Sequence, residues 1–219
     1  MRTLVLATTN PGKVREFRAL LGALPVRLVR LDEVGLAQGP ETGATFAENA
    51  VQKARHAAAG SGLVALADDS GLEVDGLGGA PGVWSARYAG EPADEEANRR
   101  RLIRELAAVP VERRTARFRC AVAIARPGAG GGGEPEILAL VEGACEGVVL
   151  TEPRGAQGFG YDPLFLLPER GLTLAELPPE EKNTLSHRAR AVERALPALR
   201  ALEEDDGAAA AGAGEVDSP

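Results

Sequence analysis

The chain is predicted to be an α/β protein built on a mixed sheet. Three observations predict this. In the first third, short apolar runs alternate with segments carrying an apolar stripe at helical spacing. Further on, two extended runs flank a glycine-rich connection, as in a hairpin. The chain has 219 residues, 44% hydrophobic and 26% charged, which suits one soluble domain with a sizeable core.

The elements follow in order. Residues 3–7 (TLVLA) read as a short buried strand. Residues 11–21 read as a helix, with Pro11 in its first turn and Val14, Phe17, Leu20 and Leu21 on one stripe. Residues 26–31 form a second strand. Thr45 and Glu48 have the spacing of a capping box and open a helix to about residue 59, with Phe46, Ala50, Ala54 and Ala57 inside. Residues 63–67 are the next buried strand, expected to end at Asp68 and Asp69. Residues 94–107 form a helix burying Leu102, Ile103 and Leu106. Residues 116–125 and 136–145 pair across the surface loop RPGAGGGGEP, and residues 147–151 continue extended. Residues 186–202 form the last helix, with Ala189, Val192, Leu196 and Leu199 inside and Pro197 as a possible kink. Residues 1–202 are expected to be one domain, with two lobes flanking a cleft. Residues 203–219 (EEDDGAAAAGAGEVDSP) read as a disordered acidic tail.

The net charge of −7 sits in that tail, which holds six acids and no base. The remainder has 25 basic and 26 acidic side chains, so no global basic field awaits a nucleic-acid backbone. Cys120 and Cys145 are the only cysteines, too few for a disulfide framework or a soft metal site. No run approaches the ~18 apolar residues of a membrane span, and the apolar start is too short for a signal peptide. The expectation is a cytoplasmic protein.

Four stretches could carry chemistry. Thr8, Thr9, Asn10, Pro11, Gly12 and Lys13 lie between a strand and a helix, where an anion is favoured, although a plain strand–turn–helix junction has the same form. It is not a Walker A loop. Asp68, Asp69 and Ser70, with Glu41, could hold Mg²⁺ and supply a general base; adjacent strand residues face opposite ways, so the two aspartates would divide the work. An ordinary turn would also use Asp, Ser and Gly. Phe159, Gly160, Tyr161 and Asp162 could form a platform for a flat ligand, or a tight turn with core aromatics. Ser186 looks like a helix N-cap, which places His187 and Arg188 in a first turn where cations are disfavoured unless acceptors are near. The competing reading of this stretch, from Lys182 to Arg188, is a solvated turn.

These parts occur in one order. LATTNPGKVREF, ETGATFAENAVQKARHAA, ADDSGLEVDGLGGAPGVWSARYAGE, GFGYDPLF and EKNTLSHRARA run from Leu4 to Leu202 in a register that resembles the inosine triphosphatase (Ham1-like, RdgB-like) family. The resemblance implies an elongated central mixed β-sheet flanked by helices, and a homodimer. It implies hydrolysis of dITP, ITP and XTP to the monophosphate and pyrophosphate with Mg²⁺, cleansing the nucleotide pool of deaminated purines. Thr8 to Lys13 would bind the triphosphate. Asp69 would be the catalytic acid/base and a metal neighbour, with Glu41 and Asp68 completing the carboxylates. Ser70 would touch substrate. Phe159, Gly160, Tyr161, Asp162, Lys182, His187 and Arg188 would form the nucleotide pocket. Thr9, Trp84 and Pro40 depart from the family's usual residues. Two other readings are a Maf-like pyrophosphatase of different base preference and a nucleotide-binding regulator without turnover.

Overall fold

The computed structural model describes residues 2–131 and 133–212. Its centre is a seven-stranded mixed sheet in the order β2-β1-β3-β4-β5-β6-β7. The strands are β1 (Arg2–Leu6), β2 (Val26–Arg30), β3 (Val64–Val74), β4 (Thr115–Arg126), β5 (Glu136–Val149), β6 (Phe165–Leu167) and β7 (Leu172–Thr173). β1 lies parallel to β2 and β3, and every later pairing is antiparallel. The predicted α/β class and mixed sheet are thus observed. So is the hairpin of β4 and β5, with a register shift at Ile124/Ala125.

Among the described residues five α-helices flank the sheet: α1 (Pro11–Leu20), α2 (Phe46–Ser61), α3 (Glu95–Leu106), α4 (Pro179–Leu185) and α5 (His187–Gly212). Strand alternation sends neighbouring residues into different layers. Leu4, Leu6, Leu66, Cys120, Val122 and Ile124 pack with Val14 and Phe17 of α1 and with α5. Val5, Ala7, Ala65, Ala67, Ala121 and Ala123 pack under α2, whose inner face is alanine. Leu102 and Leu106 of α3 close a third cluster over Leu72, Phe118 and Phe165.

Local chemistry sets the boundaries. Asn10 caps α1, accepting the Lys13 N–H, with Pro11 at the first position. Thr45 caps α2 through the Glu48 N–H, but the Glu48 carboxylate takes the Ala44 N–H instead of closing a capping box. Asp94 caps α3. Two expectations need correction. β3 does not stop at the aspartates; it continues to Val74, paired with β4 throughout. α5 does not end at Leu202 but runs to Gly212, over an alanine-rich stretch of high helix propensity. The last part of the expected tail, residues 213–219, lies outside the described residues. Among the described residues no helix is long and apolar enough to cross a membrane.

Candidate active site

A cleft of about 440 Å³ opens beside the middle of the sheet. It gathers residues from all four predicted stretches: Thr8, Thr9, Asn10 and Lys13; Glu41, Asp69 and Ser70; Phe159, Gly160, Tyr161 and Asp162; and Lys182, His187 and Arg188. Pro11 and Gly12 do not line it. Gly12 instead packs against the platform: a side chain there would come within 2.6 Å of the Phe159 ring. Asp68 does not line it either and is fully buried.

Because Asp68 and Asp69 are consecutive in a strand, they face opposite layers. Asp69 points toward α2, where Asn49 Nδ2 donates to Oδ2 and Lys53 Nζ to Oδ1, each at 3.0 Å. Lys53 also holds Glu41 Oε1 at 2.6 Å, so one buried ammonium joins the two carboxylates. Gln38 Nε2 donates to the same Glu41 oxygen at 3.2 Å, and Gln38 Oε1 accepts from Thr9 Oγ1 at 2.7 Å. Burial pushes the Asp69 carboxyl up and Glu41 adds to this, against the pull of Lys53 and Lys13; the net shift is upward. For Glu41, burial is outweighed by Lys53, Lys13 and Arg87 together, which hold the carboxyl down.

Asp68 points toward α1 and α5. Its Oδ2 meets Lys13 Nζ at 3.0 Å, Arg188 Nη2 at 3.2 Å and the Ser70 hydroxyl at 3.1 Å. Burial alone would raise this carboxyl, but Lys13, Arg188 and Lys53 together hold it well below the usual range. Arg188 also pairs with Glu16, which pairs with Lys182 at 2.7 Å, and Lys182 pairs with Asp162. Alternating charges therefore run from Lys13 to Asp162 beneath the cleft. Burial raises Asp162 despite Lys182.

Ser186 caps α5 through the Ala189 N–H at 3.2 Å, as expected, and the acceptors beside Arg188 are Glu16, Asp68 and Ser70. Arg188 and Lys182 lie over the Phe159 ring at 5.7 and 4.9 Å. His187 stacks on Phe118 at 4.8 Å. Burial, then Arg188 and Lys182, push His187 well below its ordinary range, so the imidazole is neutral near pH 7. Two buried atoms of these cleft-lining residues, His187 Nδ1 and Arg188 Nε, have no hydrogen-bond partner. Buried polar atoms left unpaired are rare and mark a place for a ligand or water.

The sequence reading did not single out Asn49, Lys53 or Glu16. Asn49 and Lys53 interrupt the alanine stripe of α2, one turn apart, and both are buried. Polar residues on an otherwise buried helical face were the available signal. Among the described residues, no three His, Cys, Asp or Glu side chains form a metal cluster. Glu41 and Asp69 do converge at the cleft on Lys53. Two hard carboxylates suit Mg²⁺, which takes one or two from protein and completes its shell with water and phosphate oxygens.

Strand β3 of the mixed sheet thus presents the Asp69 carboxylate, with Glu41 nearby, to a cation-rich cleft. The Ham1 family model matches residues 4–198, and the chain belongs to that family. It is 51% identical over 202 residues to a dITP/XTP pyrophosphatase of Xanthomonas campestris, covering 92% of this chain and 99% of that one. It is 53% identical over 193 residues to one from Geobacillus kaustophilus, covering 88% and 91%. A solved HAM1 protein from Coxiella burnetii superposes with a TM-score of 0.80 at 41% identity, covering 91% of this chain and 99% of that one.

Proposed function

We propose that this chain hydrolyses dITP, ITP and XTP to the monophosphate and pyrophosphate, removing deaminated purines from the nucleotide pool. The named activity of its relatives supports this reading. The observation that carries it is the make-up of the cleft. It holds Lys13 and Lys53 by the α1 N-terminus, suited to a polyphosphate. It also holds the Phe159 ring with Arg188 over it, and His187, suited to a purine base.

Each residue then has a task. Thr8, Thr9, Asn10 and Lys13 receive the phosphates, and Ser70 touches the substrate. A water attacks one phosphorus of the α–β bridge, its proton passes to the Asp69 carboxylate, and the bridging oxygen leaves with the other phosphorus. The raised Asp69 carboxyl is a better proton acceptor than an ordinary aspartate. Lys53 and Asn49 aim it. Asp68, out of the cleft, holds Lys13 and Arg188 in place. Glu41 and Asp69 would hold Mg²⁺, which when bound neutralises phosphate charge. Lys182 and Asp162 frame the base beside Phe159 and Tyr161. The protein is proposed to act in the cytoplasm as a homodimer, which sedimentation at twice the chain mass would support and monomer mass at micromolar concentration would contradict. Pyrophosphate release from ITP, with no release of orthophosphate, tests the function itself.

A further inference from the structure

The Phe159 ring sits on a stretch, residues 151–161, with no helix or strand of its own. Gln157 N–H donates to Ala175 O at 2.9 Å and Arg154 N–H to Pro163 O at 2.9 Å; Phe159 N–H donates to Asp162 Oδ2 at 2.9 Å, and its carbonyl accepts the Asp162 N–H at 3.2 Å. A further grip comes from α3, remote in sequence. Glu95 and Arg99 are one turn apart and share a face. Glu95 Oε2 accepts the Gly160 N–H at 2.9 Å, and Arg99 Nη1 donates to the Gly160 carbonyl at 2.7 Å. Both backbone polar groups of the residue next to Phe159 are thus held by one i,i+4 pair, itself in contact at 3.8 Å. On the same helix, Asn98 donates to Ala86 O at 2.9 Å and accepts from Ala89 N at 2.6 Å, which anchors α3 to the segment that carries Ser85. Tyr161 OH closes the circuit on Ser85 O at 2.8 Å. Glu95 and Asn98 line the cleft.

We propose that Glu95 and Arg99 are positioning residues: by gripping Gly160 from both sides they set the orientation of the Phe159 ring and so the affinity for a purine base. The inference rests on the cleft being a purine nucleoside triphosphate site. Neither side chain reaches the carboxylates that break the bond, so the effect belongs to binding and not to the chemical step. Their bonds are partly exposed and open without unfolding α3, whose own packing rests on Leu102 and Leu106.

Steady-state hydrolysis of ITP by the full chain, with melting recorded alongside, is the test. Arg99→Ala and the Glu95→Ala/Arg99→Ala pair should raise KM about 5- to 20-fold, the size of one or two lost hydrogen bonds. Their kcat should stay within about twofold and their Tm within about 2 °C, because no buried apolar contact is lost. Glu95→Gln keeps an acceptor for Gly160 and should keep the wild-type KM. In a Phe159→Ala background, Arg99→Ala should change nothing further, since the ring it orients is gone. Unchanged KM in active variants overturns the proposal, as do kcat and Tm falling together, or effects that simply add to Phe159→Ala. A wild-type chain that leaves ITP intact overturns the function reading itself, and the role of this pair with it.

Discussion

Asp69 and Asp68 share a strand and a residue type, yet their surroundings give them different work. Asp69 reaches the cleft with its carboxyl raised by burial; Asp68 lies beneath, pulled down by Lys13 and Arg188. Asp69→Asn should therefore lose most of kcat while keeping substrate binding, by the ~10²–10⁴-fold that a lost general base costs. Wild-type turnover under saturating Mg²⁺ would contradict the assignment. Lys53 joins Asp69 to Glu41 and is itself buried. Lys53→Met leaves two carboxylates without their counter-ion, a change that costs about 3–5 kcal/mol at buried pairs and somewhat less here because Glu41 is partly exposed. Urea unfolding measures this, and a midpoint equal to wild type would show that the pair is not needed for the fold. His187 predicts a pH effect. Its folded pKa lies well below the unfolded value of about 6.5, so on acidification the unfolded chain takes up a proton that the folded chain refuses. Stability is full above pH 6.5 and falls as pH drops toward the folded pKa. Asp69 and Asp162, both raised, act with the opposite sign, in wild type and in His187→Gln alike. Between pH 7.5 and 5.5 the Tm of wild type should fall more than that of His187→Gln; equal slopes would contradict this.

At the scale of elements, the informative strand is β3. Its sequence VALADDSGLEV reads as a strand broken by a turn, because Asp-Asp-Ser-Gly is turn chemistry. The strand continues because side chains from α1, α2 and α5 neutralise both carboxylates, and none of these is near in sequence. Gly71 belongs to the same strand and is there for closeness. A Cβ would strike Ser85 Oγ and lie 2.5 Å from the Gly82 carbonyl, in the segment that forms one wall of the cleft. Gly71→Ala should thus destabilise by about 1–3 kcal/mol, as overpacking does, and widen the cleft. Thermal unfolding checks it, and an unchanged Tm would mean the wall gives way freely. Helices α1 and α2 were legible from apolar stripes and caps. α4 was not: its seven residues, which follow Pro178 and open with Pro179, have no stripe to read, and the burial of Lys182 within it depends on Glu16 and Asp162.

At the scale of the molecule, the mixed sheet was legible because apolar runs and helical stripes alternate in the first third of the chain and an extended pair follows, whereas the short strands β6 and β7 carry too few residues for any period. The site was legible as motifs but not as a circuit. That Lys13, Asp68, Arg188, Glu16, Lys182 and Asp162 form one chain of alternating charge follows only from the packing of α1, β3, α4, α5 and the turn at Asp162. That circuit bears on the base choice proposed for the cleft. Glu16 takes Arg188 Nη1, and Asp68 and Ser70 take Nη2, which leaves Nε as the guanidinium nitrogen with no partner. On the proposed function a 6-keto purine would offer it an acceptor; adenine would offer a 6-amino group, donor against donor. A site built on such a bond rejects the wrong base by up to ~10⁴-fold. The most direct measurement is product analysis with ITP, XTP, GTP and ATP under identical Mg²⁺ conditions. Equal yields of monophosphate and pyrophosphate from ITP and XTP, with ATP at least ~100-fold slower, are predicted. Diphosphate and orthophosphate as products, or ATP cleaved at a rate comparable to ITP, would contradict it.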